Sequence, residues 1–107
     1  MSQPDYDLIS SFRQEHSVLA TARQSLILEV NFILEEIEMT KNIIREAKKL
    51  EYPDPLDRVW QMNSLYRTLD KLNARRVKLE NSIRYIRTSI KYTNTNMNFV
   101  REQPNAS

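Results

Sequence analysis

The chain of 107 residues contains no glycine and no cysteine. At the usual share of about 7%, a chain of this length would carry about seven glycines. Tight hairpins, strand bulges and phosphate-cradling loops lean on glycine. Its absence argues against a β-rich domain, a dinucleotide site and a P-loop. The absence of cysteine removes a disulfide framework and thiol chemistry, and fits a reducing compartment. Proline is confined to Pro4, Pro53, Pro55 and Pro104, near the two ends and in the middle. Long apolar runs are missing as well. None exceeds three residues, as at Leu26-Ile27-Leu28, far short of a membrane span. The opening Met-Ser-Gln-Pro-Asp-Tyr-Asp has neither the layout of a signal peptide nor that of a transit peptide. These absences point to a soluble intracellular protein, cytoplasmic or nuclear, with no membrane span.

What is present is helical periodicity. From Asp5 to Glu51, heptad counting places Ile9, His16, Arg23, Val30, Ile37 and Ile44 at a. It places Phe12, Leu19, Leu26, Ile33, Thr40 and Ala47 at d. From Pro55 to Asn98 the a positions are Met62, Leu69, Arg76, Ile83 and Ile90, and the d positions are Leu65, Leu72, Leu79, Ile86 and Thr93. A period of 3.5 residues held this long is the signature of a coiled coil. Between the two tracts, Pro53 disfavours helix at Tyr52. Asp54 suits a helix N-cap and Pro55 the first helical position. A stop and restart this close predicts antiparallel neighbours.

The fold predicted is all-α: a long antiparallel two-helix hairpin, coiled-coil in character, that packs into a multi-chain helical bundle. Its parts are an N-terminal tail at 1–4, a helix at 5–51, a turn at 52–54 (Pro53, Asp54, Pro55) and a helix at 55–98. The hairpin ends at about 101, fraying is expected over Thr93–Asn96 for want of helix propensity, and 102–107 is expected to be disordered. In this hairpin Ile44 faces Met62, Ile37 faces Leu69, Val30 faces Arg76 and Leu19 faces Ile86. Charge agrees with the pairing. Residues 1–53 hold nine acids and six bases, a net of −3, and residues 54–107 hold five acids and ten bases, a net of +5.

More apolar surface is encoded than one seam can cover. Around Leu26–Leu34 the first helix is apolar nearly all round, and such a helix is buried on every side. Leu28, Phe32, Met39, Trp60, Tyr85 and Tyr92 fall off the seam and are the predicted partner interface, aromatic types being frequent interface anchors. His16, Arg23 and Arg76 interrupt the seam and read as residues that set register and partner choice at a cost in stability. Arg76 is expected to pair with Glu29 or Glu36.

Other chemistries find little support. His16 is the only histidine, and it has neither the companions of a zinc site nor a visible nucleophile to serve. Glu35, Glu36 and Glu38 lack the Glu-x-x-His pattern of a di-metal bundle. Neither catalytic residues, a cofactor nor a metal is expected. The basic residues Arg67, Lys71, Arg75, Arg76, Lys78, Arg84, Arg87 and Lys91 raise the alternative of a nucleic-acid-binding hairpin using the second helix. Arg67, Lys71, Lys78 and Arg87 are expected to spread round the helix, which weighs against it. Lys41, Arg45, Lys48, Lys49 and Arg58 near the turn suit an acidic partner. Leu65-Tyr66-Arg67 resembles the signature of the mitochondrial Leu-Tyr-Arg proteins, small helical adaptors for an acyl carrier protein. In that family the tripeptide lies near the N-terminus of a three-helix domain, whereas here it lies mid-chain. The length and hairpin also look like the small secreted hairpins with a Trp-X-Gly turn, but the glycine is missing. The function expected is therefore that of a non-enzymatic scaffold subunit in a heteromeric assembly, of the kinetochore, spindle, tethering or vesicle-trafficking kind. Its partners would be other helical proteins, with a homodimer possible.

Overall fold

A computed structural model of the protein describes residues 5–102. It is an all-α hairpin of two helices, α1 (Tyr6–Lys49, 44 residues) and α2 (Pro55–Glu102, 48 residues). The tails expected at 1–4 and beyond Glu102 lie outside the described residues.

Each helix start is capped as its sequence requires. The Asp5 carboxylate accepts from the Leu8 amide at 3.0 Å, and the Asp54 carboxylate accepts from the Leu56 amide at 2.9 Å. Each satisfies an amide that the first helical turn leaves without an intrahelical partner. Pro55, which has no amide hydrogen to lose, opens α2, as its fixed φ favours. The chain reverses over 50–54 without any residue at positive φ among those described, so the reversal needs no glycine. Tyr52 reaches back, its hydroxyl donating to the Ala47 carbonyl at 3.4 Å. One of the carbonyls at the end of α1 is satisfied in this way. Relative to the sequence reading, α1 stops at Lys49 instead of 51, and α2 runs to Glu102 instead of 98.

The extension of α2 passes straight through Thr93–Asn96, where fraying was expected. Thr93 is buried at 4% exposure, and the Thr95 hydroxyl donates to the Lys91 carbonyl at 2.9 Å. Packing round the buried Thr93 outweighs a propensity deficit that is small per residue.

The described residues divide into two compact units. One, Leu28–Glu80, carries the turn. Its core is Val30, Ile33, Ile37, Ile44 and Ala47 from α1, met by Met62, Leu65, Leu69, Leu72 and Leu79 of α2, all half-buried. Thr40 sits in this core with its hydroxyl donating to the Glu36 carbonyl at 2.8 Å. The second unit, of which residues 5–27 and 81–102 are described, buries Ile9, Ile83, Ile90 and Thr93. Phe12, Leu19, Leu26, Ile86, Met97 and Val100 there are half-buried. Every a and d residue read from the sequence is buried or half-buried, and no buried side-chain nitrogen or oxygen among the described residues lacks a hydrogen-bond partner.

Candidate interaction surfaces

Outside the seam the apolar side chains remain uncovered. Eight apolar residues are buried among those described, against seventeen large ones that are exposed. In the unit with the turn, Leu28, Phe32, Met39, Ile43 and Leu50 are each half or more accessible. Their spacing of four, seven, four and seven residues keeps them within an arc of about 60° on a helix turning 100° per residue. This stripe lies roughly 120° round α1 from the seam by the same count. It contains three of the residues anticipated from sequence, Leu28, Phe32 and Met39. Ile43 and Leu50 complete it and were missed. Their signal was the 11-residue spacing to Phe32 and Met39, which a count by heptads conceals.

α1 thus has two apolar stripes. By length and composition alone, it contains an 18-residue stretch apolar enough to cross a membrane, with hydropathy 1.2 and 11% of it buried. A helix with one stripe for α2 and another facing outward reaches that composition without entering a bilayer.

The α2 segment of this unit has a different character. Arg67, Lys71, Arg75 and Lys78 are all exposed, and they fall within an arc of about 80° at 100° per residue. Only Arg87 of the basic residues expected to scatter lies away from this row, so the sequence reading is corrected: Arg67, Lys71 and Lys78 share a face. Trp60, 75% exposed, lines a surface hollow together with Arg67 and Lys71. Two contacts set the flank of α2 that bears Arg75 and Gln61 beside the flank of α1 that bears Glu29 and Ile43, while Arg67, Lys71 and Lys78 lie farther round α2, away from α1. Arg75 forms an ion pair with Glu29, which neighbours Leu28. Ile43 and Leu50 line a hollow with Gln61, two turns before Thr68 on the α2 flank that bears Arg75. On another side of the unit, the Lys48 ammonium lies 5.8 Å from the centre of the Tyr66 ring.

Arg76 is half-buried in the seam, as its a position requires, but its partner is not on α1. It bonds Glu80 one turn along α2 at 3.3 Å, and it is Arg75 that reaches Glu29. One residue of offset moves a guanidinium by 100° round the helix, and only the outer one has a clear path across to α1. His16 and Arg23 are half-buried seam residues of the second unit. Tyr85 and Tyr92, also in that unit, are 74% and 70% exposed. With Phe99 they recur every seven residues along α2 and form a second uncovered aromatic row. Leu65 of the Leu-Tyr-Arg tripeptide is turned into the seam while Arg67 is outside it. Pro53 and Pro55 flank the Asp54 cap in the turn. Among the described residues no three His, Asp or Glu side chains are grouped to hold a metal ion.

No protein-family model matches the chain, and no curated protein or solved structure was found to resemble it.

Proposed function

We propose that this protein is a non-enzymatic interaction subunit: a hairpin of coiled-coil character that joins helices of other proteins in a heteromeric bundle. The observation that carries the proposal is the exposed stripe Leu28, Phe32, Met39, Ile43 and Leu50. Apolar side chains recur on one arc over more than twenty residues, with Glu35 and Glu46 between them, and exposed apolar patches mark interaction sites. A helix with apolar stripes about 120° apart suits a bundle, where it touches two neighbours at once. The Tyr85, Tyr92 and Phe99 row adds residue types that anchor interfaces. Scaffolds of the kinetochore, spindle or trafficking kind use helices in this way, and the hairpin fits that role without singling out one of them.

The basic row on α2 gives the nucleic-acid alternative a specific footing, since phosphate-binding surfaces are built from such rows. The exposed stripe on α1, together with the acids Glu29, Glu35, Glu36 and Glu46 of that helix, makes protein the better partner for the hairpin. The deciding experiment purifies the tagged chain with its partners, identifies them, and reconstitutes the complex from recombinant components. A complex that forms with wild type and is lost with Met39→Glu supports the proposal. A chain that stays a soluble, cooperatively folded monomer and acquires no partner rules it out. Oligonucleotide binding that weakens steeply with salt would assign the chain to the alternative.

A further inference from the structure

The α1 stripe and the aromatic row of α2 lie in segments of opposite charge. Residues 24–40 of α1 hold four acids and no base, and residues 81–101 of α2 hold four bases and no acid. Glu35 and Glu36 bracket the stripe, each about 20° beyond one of its edges at 100° per residue. On α2, Lys91 shares a hollow with Tyr92, the middle residue of the row Tyr85, Tyr92 and Phe99. Arg84 holds the same place beside Tyr85, one heptad earlier. Among the described residues, none of Glu35, Glu36, Arg84 and Lys91 takes part in an ion pair within the chain. The lengths agree as well. From Leu28 to Ile43 is about 22 Å, and from Tyr85 to Phe99 about 21 Å, at 1.5 Å per residue.

We propose that the aromatic row of one copy of this chain docks on the α1 stripe of a second copy. Both surfaces are exposed, and both repeat at seven residues, Phe32 with Met39 on α1 and Tyr85 with Tyr92 and Phe99 on α2. Equal repeats let the rings of one helix seat between the side chains of the other. The contact joins two different surfaces, so it is heterologous and builds a ring or an open array of copies. It goes beyond the reading as a subunit of a heteromer, because an open array leaves one stripe free at its end for another protein.

The positions of the charges disfavour the two like pairings. Glu35 and Glu36 lie at the middle of the span from Leu28 to Ile43, and Lys91 lies at the middle of the row. Stripe laid on stripe therefore brings glutamates together whichever way the helices run, and row laid on row does the same for Lys91. Stripe laid on row brings one of the two glutamates to Lys91 in either direction. Charges so placed choose the partner more than they add affinity.

The test is sedimentation of the purified full chain over a range of concentrations. Wild type is expected to self-associate, less so as salt rises. Met39→Glu and Tyr92→Glu replace exposed residues, so each should keep its helical circular dichroism and sediment as a monomer. An equimolar mixture of the two should form a dimer and nothing larger, since each variant retains the surface that the other has lost. Glu35→Lys with Glu36→Lys should weaken association at least about tenfold, and adding Lys91→Glu to that chain should recover part of the loss. The inference is overturned if wild type stays monomeric or if the mixture does not associate. A dimer that survives Tyr92→Glu but not Met39→Glu would mean stripe on stripe, the reverse pattern would mean row on row, and either overturns it. Association indifferent to the charge substitutions does so too. The subunit reading is judged separately. A monomeric chain whose reconstituted partner is lost with Met39→Glu would uphold that reading and defeat this inference.

Discussion

Ile33 is the one side chain wholly withdrawn from solvent among the described residues, and the turn-bearing core is built round it. Truncating a buried isoleucine to alanine costs about 2–5 kcal/mol, a large share of what a small domain possesses. Ile33→Ala should therefore strip the isolated chain of most of its helical signal at 222 nm near room temperature; a melting curve that overlays wild type would show that this layer contributes little. Arg76 makes the opposite case. It occupies an a position, and its bond to Glu80 is half-exposed and local to α2. Such a pair contributes little net stability, while a leucine there would add apolar contact in the Val30 layer. Arg76→Leu is expected to raise the urea midpoint by an amount equal to about 1 kcal/mol, and a lowered midpoint would refute this. Because the partner of Arg76 lies on its own helix, the substitution should not loosen the pairing of α1 with α2.

At the scale of the elements, two uninterrupted helices are joined by a reversal that one residue organises. Asp54 caps α2 through its carboxylate and accepts the Asp57 amide at its carbonyl, at 3.0 Å. Asp54→Ala should cost about 1 kcal/mol, and Asp54→Ser far less, since serine caps nearly as well; urea denaturation of both variants decides, equal losses telling against a capping role. The far end of α2 teaches a different rule. Serine and threonine are middling helix formers, yet Thr88, Ser89 and Thr95 each donate a hydroxyl to the carbonyl one turn back. Those bonds satisfy the hydroxyls but add no helix stability, so it is the burial of Thr93 that keeps the polar run inside the helix.

For the molecule as a whole, the balance between buried and exposed apolar residues is the governing fact. Helices of this length owe most of their stability to tertiary packing, and a hairpin supplies one seam. A partner that binds only the folded hairpin adds RT ln(1 + [L]/Kd), about 2.7 kcal/mol at a hundredfold excess over Kd. The melting temperature of the reconstituted complex should therefore climb with partner concentration, and a midpoint indifferent to partner would contradict the proposed role. Charge pairing is not what holds the hairpin together. Glu29 and Arg75 are 39% and 59% exposed in their side chains, so molar salt should leave the melting temperature nearly unchanged.

Periodicity alone determined the seam, the turn and the surplus of apolar surface. A helix advances a fixed angle per residue, so spacing in the chain is direction in space, and Ile9 to Thr93 fall where a heptad count puts them. Asp54 and Pro55 were legible for a similar reason, because caps are made by neighbours in sequence. The tertiary structure decided what depends on distance through space. It selected Arg75 over Arg76 for Glu29, kept α2 helical through Thr93, whose burial no local propensity encodes, and set Gln61 of α2 against Ile43 and Leu50 of α1. A linear chain specifies which way each side chain points from its own helix. Which row of the other helix lies beside it follows only when the two are packed.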